Sequence, residues 1–194
     1  QVIHGQSDIG RPKAVSAKES IAEINPLVEV VVHDTRLDND NVKEIFSGYD
    51  LIVDGTDNFA TRYLVADACA AAEKPLVTAA VGRFDGSLTV LKPFETGPDG
   101  RRNPSYRDLF AEPPPAGMVP SCAEAGIVGA LTGVLGSLQA MEVIKLVTGA
   151  GEPLVGRLHL VGADEAQHLV CRRPGEGERI DPPHALDRHG DLVI

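Results

Sequence analysis

The most informative stretch of this chain is Tyr49-Asp50-Leu51-Ile52-Val53-Asp54-Gly55-Thr56-Asp57-Asn58. Its apolar run, Leu51 to Val53, is short and ends in turn residues, a pattern typical of a buried parallel strand. Ligands of open α/β sheets bind beyond the carboxyl ends of the strands, so Asp54, Asp57 and Asn58 are expected at a functional edge. Carboxylates at such an edge suit Mg²⁺. The alternative is that Asp57 and Asn58 only cap the helix that follows.

Extended and helical patterns alternate on both sides of this stretch. In chain order, the sequence predicts a helix over 12–25, a strand over 28–33, a helix over 40–47, a strand over 50–54, a helix over 58–73, strands over 75–81 and 87–91, a helix over 125–148 and a strand over 154–161. This alternation predicts an α/β fold whose mostly parallel sheet is flanked by helices.

Two segments interrupt or extend this pattern. Residues 95–121 are dense in Pro and Gly, and a loop of that length inside a compact domain is usually functional or disordered. The helix predicted over 125–148 carries Gly129, Gly133 and Gly136, for which we favour tight helix packing over ligand binding.

Composition narrows the class of protein. A chain of 194 residues with 43% hydrophobic and 24% charged residues suits one soluble domain with a substantial core. Its net charge of −10 argues against nucleic acid or an anionic membrane as a partner. The three cysteines lie far apart, form no disulfide framework and fit a reducing compartment, so we expect a cytoplasmic protein. We expect no signal peptide, and the sequence contains no uncharged apolar run of 18 residues that could span a membrane.

Three further side chains carry candidate chemistry. Lys13 lies at the start of the first predicted helix, where it could meet a phosphate together with free backbone amides. A solvated surface lysine is the simpler interpretation of that residue alone. Cys122 precedes the long helix, where a thiol gains nucleophilicity, although it could equally be a small core residue. We assign Arg62 a structural role, with a carboxylate about one helical turn away as its expected partner.

Together these segments resemble the ThiF/MoeB/HesA family, the relatives of ubiquitin-activating enzymes. The matching segments are Arg11-Pro12-Lys13-Ala14, Asn25-Pro26, Asp54-Gly55-Thr56-Asp57-Asn58, Thr61-Arg62-Tyr63, Arg83-Phe84-Asp85-Gly86, Glu112-Pro113-Pro114-Pro115-Ala116-Gly117-Met118-Val119-Pro120-Ser121-Cys122-Ala123-Glu124-Ala125-Gly126 and Gly136-Ser137-Leu138-Gln139-Ala140-Met141-Glu142-Val143-Ile144-Lys145-Leu146. They run in order from Gln1 to about Asp164, and the complete set is far more specific than any single segment.

The resemblance implies ATP-dependent adenylation of the C-terminal glycine of a ubiquitin-like sulfur-carrier protein, of the molybdopterin or thiamine biosynthesis type. By position, Lys13 resembles the family lysine that contacts ATP phosphates. Asp57 resembles the aspartate that holds Mg²⁺ and the nucleotide, with Asn58 beside it. Cys122 occupies the place of a cysteine that binds the carrier covalently in some members. Family members are commonly homodimers, and the loop over 95–121 would cover the carrier's tail.

The sequence departs from the family pattern in two respects. The first nucleotide-binding strand–loop–helix of the Rossmann-like fold, with its Gly-rich ATP loop, has no counterpart, so we expect this chain alone to bind ATP poorly or to belong to a longer protein. Two CxxC pairs that bind zinc in many members are also missing. Ser105-Tyr106-Arg107-Asp108 stands in the place of the first, so we predict no zinc.

These observations predict an N-terminally incomplete adenylation domain over residues 1–171 and a polar tail or linker over 172–194. The main alternative is a non-catalytic fragment that binds a carrier protein or a partner subunit. An NAD-dependent oxidoreductase shares the sheet type, but it needs a GxGxxG loop and a downstream acidic residue that this sequence lacks.

Overall fold

The computed structural model describes residues 3–115 and 126–162, together with the backbone of residues 169–171. The chain divides into two compact units, Gln1–Leu37 and Asp38–Ile194, each of which is treated by itself below. Cys122 and the predicted tail over 172–194 lie outside the described residues.

The N-terminal unit is built around helix α1 (Lys13–Ile24), which confirms the helix predicted over 12–25. The helix ends where the Asn25-Pro26 pair disfavours helical backbone. A 3₁₀ turn, Gln6–Asp8, precedes it. The segment before α1 is fastened to the helix by the His4 ring, which hydrogen-bonds the buried Ser16 hydroxyl at 2.9 Å.

The strand predicted over 28–33 is wrong for this structure. The segment forms no strand, and no strand or bridge among the described residues forms a β-ladder with it. Its β-branched residues favour an extended backbone, but a strand is completed only by a hydrogen-bonded neighbour. Val28 and Val31 are about half exposed, as expected for apolar residues that lack such a neighbour.

The second unit contains the sheet. Its elements are α2 (Val42–Ser47), β1 (Ile52–Asp54), α3 (Phe59–Ala71), β2 (Leu76–Val81), β3 (Asp85–Leu91), α4 (Tyr106–Leu109), α5 (Gly129–Thr148), β4 (Leu158–Gly162) and β5 (Leu169–Cys171). Each helix and strand predicted after residue 38 is therefore present, with ends shifted by a few residues. Helix α4 is an addition inside the predicted loop over 95–121.

The described strands form one mixed sheet in the order β1-β2-β3-β4-β5. Strands β1 and β2 are parallel, and the three other pairs are antiparallel. The α/β class is confirmed, but the expectation of a mostly parallel sheet is wrong for these strands. Connection length explains part of the difference. Helix α3 gives β1 and β2 the long crossover that parallel strands need, whereas β2 and β3 are joined by a tight turn closed by the Gly82 N–H on the Asp85 carbonyl at 2.8 Å.

Helices cover both faces of the sheet. Alternate residues of β2 and β3 pack against Leu131 and Leu135 of α5, which forms the main core. That core contains Val77, Ala79, Leu88, Val90, Leu131 and Leu135. The intervening residues Leu76 and Leu91 point to the opposite face, where they meet Cys69 of α3 and Tyr106 of α4. The carboxyl end of β1 therefore lies between two helical layers.

Helix α5 is long and apolar enough to cross a membrane by length and composition alone, which is weak support for a membrane span. Its polar side chains instead bond within the fold. Glu142 is 3% exposed, accepts the Leu154 backbone N–H at 2.8 Å and pairs with Lys145. These contacts favour a helix that covers the sheet.

The outer face of α5 is apolar and exposed. Val134, Met141, Ile144 and Val147 are each about half exposed or more. A Cβ built on any of the glycines at 129, 133 and 136 would meet no atom within 4 Å. The tight packing predicted for these glycines is therefore not made by the described residues.

Candidate functional site at the carboxyl end of β1

The corner between β1 and α3 is organised by the buried carboxylate of Asp54, which is 3% exposed. One carboxylate oxygen accepts the Thr56 backbone N–H at 2.9 Å, and the other accepts the Thr78 hydroxyl at 3.0 Å. Both carboxylate oxygens therefore accept hydrogen bonds from within the protein. Asp54 shapes the corner and is not the group that faces a ligand.

Arg62 of α3 reaches back to the same corner. Its Nε and Nη2 donate to the Thr56 carbonyl at 3.0 and 2.6 Å, and the residue is 7% exposed. The structural role assigned to Arg62 agrees with this geometry, but its expected carboxylate partner is replaced by a backbone carbonyl.

Arg62 also lies near Tyr106. Burial raises the pKa of the Tyr106 hydroxyl, and the Arg62 charge offsets part of that rise.

Gln139 approaches the corner from α5. Its side-chain Nε2 donates to the Asp54 carbonyl at 2.7 Å and lies 3.4 Å from the Val77 carbonyl. Sequence reasoning missed this residue. The available signal was its place on the apolar face of the helix, beside Leu135 and Leu138, where an unpaired amide would be costly.

Asp57 and Asn58 lie together at the end of this corner, as predicted. The Asn58 side-chain oxygen accepts the Thr61 backbone N–H at 2.9 Å and so caps α3, while the role of Asn58 toward a nucleotide stays a prediction. Its amide nitrogen is the group that remains for a nucleotide. Asp57 is exposed, and no hydrogen bond or ion pair to its carboxylate is found within the described ranges. A carboxylate in this position can accept a cation or a ligand hydroxyl.

The other two predicted site residues are Lys13, which belongs to the N-terminal unit, and Cys122, which lies outside the described residues. Lys13 is exposed at the first position of α1, in the N-terminal unit, and its ammonium has no partner within the part of that unit that the structure describes. Its pairing with Asp57 across a bound nucleotide stays a prediction. Cys122 falls in the stretch that the structure leaves undescribed, so its covalent role also stays a prediction.

The segment that stands in the place of the first zinc-binding pair is held by polar contacts. Ser105 and Asp108 form a capping box at the start of α4, and Asp108 pairs with Arg102 at 2.8 Å. Arg107 meets Asp67 of α3 through two hydrogen bonds of 3.0 and 2.7 Å. No group of three potential metal ligands is found among residues 3–115, 126–162 and 169–171. The expectation of no zinc stays a prediction.

Cys69 is expected to resist alkylation in the native protein. Burial raises the pKa of its thiol to about 12, the Asp54 carboxylate adds to the rise, and Lys74 partly opposes it. At pH 8 the thiol is therefore protonated, and only the thiolate is an effective nucleophile. Iodoacetamide labelling followed by peptide mass spectrometry should show the Cys69 peptide modified in urea and unmodified in native buffer. Equal labelling rates in the two conditions would contradict this burial.

The family follows from the sequence and the fold together: the ThiF family model matches residues 1–174, and the chain belongs to the ThiF family. The probable adenylyltransferase/sulfurtransferase MoeZ of Mycobacterium tuberculosis (strain CDC 1551 / Oshkosh) is 52% identical over 168 residues, which are 87% of this chain and 42% of the relative. The sulfur carrier protein adenylyltransferase of Thermus thermophilus is 48% identical over 175 residues, 89% of this chain and 64% of the relative.

Solved structures support the same fold. The crystal structure of E. coli MccB with ATP superimposes with a TM-score of 0.68 at 18% identity, over 90% of this chain and 52% of that chain. At this identity the likeness concerns the fold alone. The chain thus spans between about two fifths and two thirds of the length of the two curated relatives named above.

Proposed function

We propose that the protein carrying this chain uses ATP to adenylate the C-terminal glycine of a ubiquitin-like sulfur-carrier protein. The observation that carries the proposal is the exposed Asp57 carboxylate, which has no partner among the described residues and lies on a corner held by the Asp54 carboxylate and the Arg62 guanidinium. Membership of the ThiF family and the names of its adenylyltransferase relatives support it.

The chemistry requires two anions to meet. The carrier's terminal carboxylate attacks the α-phosphorus of ATP, the bond to the β-phosphate oxygen breaks, and pyrophosphate leaves with the electron pair. Mg²⁺, when bound with ATP, would neutralise part of the phosphate charge. Asp57 is the residue that would hold it, since hard cations prefer carboxylate oxygens and substrate phosphates. The Asp57 carboxylate is available for this because no described group engages it.

The remaining roles follow the family positions. Lys13 would contact the ATP phosphates as a point charge, and its place at the start of α1 puts it next to backbone amides that also favour anions. Asn58 would contribute its amide nitrogen to the nucleotide. Cys122 would be the site of any covalent bond to the carrier. The protein would work in the cytoplasm without structural zinc.

Lys13→Ala is expected to lower carrier-dependent ATP–pyrophosphate exchange by about 10²-fold or more, because one preorganised phosphate contact supplies that much of the rate. The complete natural polypeptide that carries residues 1–194 should be used, with a carrier ending in glycine. Lys18→Ala is the matched control, since Lys18 is an exposed lysine on the same helix. Equal exchange rates for Lys13→Ala and Lys18→Ala would remove Lys13 from the site.

The alternative, a non-catalytic protein that binds a carrier, predicts a different outcome of the same experiment. It would retain the carrier on a column without any exchange of labelled pyrophosphate into ATP. The adenylyltransferase relatives favour the catalytic proposal.

We further propose a homodimer in which the outer face of α5 is covered by a second copy. Over its 20 residues the helix carries only the charges of Glu142 and Lys145, which pair with each other. Apolar faces of this length are typically covered in folded proteins.

Met141→Glu should therefore shift the mass measured by light scattering from dimer to monomer, whereas Lys43→Glu on α2 should leave it unchanged. A monomeric wild-type protein, or a Met141→Glu variant that stays dimeric, would contradict this proposal.

A further inference from the structure

We propose that Gln139 and Arg62 are positioning residues that hold the backbone on the amino-terminal side of Asp57, so that its carboxylate is presented in one fixed place. This inference rests on the proposed function, because it assigns the two residues to the reaction in which Asp57 takes part. Neither side chain needs to touch a ligand. Each acts through the backbone that carries Asp57.

The contacts of Arg62 fix the peptide plane that leads into Asp57. The Thr56 carbonyl belongs to the same planar peptide group as the Asp57 amide, so a donor that fixes this oxygen also fixes the nitrogen of Asp57. Arg62 supplies two donors to it, at 3.0 and 2.6 Å. On the other side of Thr56, its N–H is held by the Asp54 carboxylate at 2.9 Å. Thr56 is thus bonded at both of its peptide groups.

Gln139 fixes the point at which this corner leaves the sheet. Strand β1 pairs only with β2 among the described strands, and its register ends at the pair Asp54 and Thr78. The bond of 2.7 Å from Gln139 to the Asp54 carbonyl adds a constraint from α5 at that last residue. Asp54 is therefore held through its carbonyl by a helix and through its carboxylate by a strand and a turn.

Burying the amide of Gln139 costs free energy of folding, unless its hydrogen bonds to the corner compensate for that cost. Gln139 is 9% exposed and lies among leucines that line the core face of α5. A leucine at 139 would bury apolar surface without the desolvation of an amide. The amide is compensated only by the backbone carbonyls at the end of β1 and on β2. The Gln139 amide therefore contributes by holding the backbone of the corner between β1 and α3 in place.

The carbonyl side of Asp57 is held as well. Asn58 caps α3 through the Thr61 N–H at 2.9 Å, which fixes the residue directly after Asp57. The backbone is bonded before and after Asp57, while the Asp57 carboxylate itself has no partner within the ranges described. This arrangement presents one charged group rigidly, as electrostatic catalysis requires. A displacement of about 1 Å at such a group can lower a rate by about 10²-fold.

The test uses Gln139→Leu and Arg62→Met, which keep much of the side-chain volume and remove the donors. Both variants are expected to lower kcat of carrier-dependent exchange by about 10- to 100-fold and to raise the Mg²⁺ concentration for half-maximal rate, as is typical when support of a metal-binding carboxylate is lost. Rates should be measured at a temperature at which circular dichroism shows each variant to be folded. The KM for the carrier should change little.

Glu142→Gln is the matched control. Glu142 lies one turn from Gln139 on α5, is also buried and accepts a backbone N–H, but its partner Leu154 lies outside the corner. Its substitution should lower Tm while leaving kcat and the Mg²⁺ dependence unchanged. If Gln139→Leu behaves like Glu142→Gln, with a lower Tm and wild-type kcat and Mg²⁺ dependence, the positioning role is wrong and the residue only stabilises the fold.

Hydrogen exchange separates this inference from the proposed function. In the free wild-type protein, the Thr56 amide, which donates to the Asp54 carboxylate, should exchange slowly, and Gln139→Leu should accelerate its exchange about 10-fold or more without affecting the core of β2. This hydrogen-exchange result is expected even if the wild-type protein catalyses no ATP–pyrophosphate exchange, an outcome that would contradict the proposed function. Unchanged protection of the Thr56 amide in Gln139→Leu would overturn the positioning role independently of activity.

Discussion

Asp57→Asn is expected to lower carrier-dependent ATP–pyrophosphate exchange by about 10³-fold or more, because it removes the one negative charge proposed to hold the metal–nucleotide complex. The substitution keeps the size and shape of the side chain. Since no hydrogen bond to this carboxylate is found in the described part of the chain, Tm should not change. Steady-state exchange rates over a range of Mg²⁺ and Mn²⁺ concentrations, together with Tm, provide the measurement.

The matched control is Asp50→Asn, which changes an exposed aspartate just before β1. It has the same effect on net charge and should retain the wild-type rate. If the two variants are equally active, Asp57 has no part in the reaction. If both lose activity together with a fall in Tm, the effect of Asp57→Asn is structural and its proposed role is wrong.

Gly86→Ala is expected to destabilise the protein by about 2–3 kcal/mol, the usual cost of forcing atoms into a well-packed core. A Cβ at this position of β3 would lie 2.1 Å from Leu135 Cδ1 and 2.9 Å from the Ala80 carbonyl oxygen. Leu135 is 1% exposed in the core between α5 and the sheet, and the Ala80 oxygen belongs to the backbone, so relief of the clash requires packed atoms to shift. Equilibrium unfolding in urea measures the effect.

Two further variants make this prediction specific. Gly48→Ala should change the free energy of unfolding by less than about 1 kcal/mol, because its nearest neighbour is 3.8 Å away and its backbone is right-handed helical. Combining Gly86→Ala with Leu135→Ala should cost less than the sum of the two single changes, since the second removes the clashing atoms. Additive costs would show that the two residues do not collide.

The elements that the sequence predicted correctly have local causes. Helix α1 ends at a proline, α3 begins at an asparagine cap, and β1 is a short apolar run that leads into polar residues. The predictions that failed concern strand pairing, which depends on the neighbouring strand and not on the segment's own residues. The strand over 28–33 has the right composition but no neighbour among the described residues. The antiparallel pairing of β2 with β3 depends on a turn that side-chain periodicity does not reveal.

Helix α4 and Gln139 show two different limits. The capping box of Ser105 and Asp108 is a readable signal, but it was hidden in a stretch dominated by Pro and Gly. Gln139 acts 85 residues from Asp54 in the sequence, and no local pattern connects the two. The place of Asp57 after a strand end was predictable from the sequence, because the run over 51–53 indicates a strand, whereas its role toward a ligand stays a prediction. The bonds that hold its backbone were visible only in three dimensions.

Mass spectrometry of the carrier would detect adenylation of its C-terminal glycine itself. After incubation of the complete protein with ATP, Mg²⁺ and a carrier ending in glycine, the carrier should gain the mass of an adenylyl group at its C-terminus. The gain should be absent with a carrier whose final glycine is deleted and with Asp57→Asn. A wild-type protein that binds the carrier and ATP but leaves the carrier's mass unchanged, or that releases only free AMP without the carrier, would contradict the account.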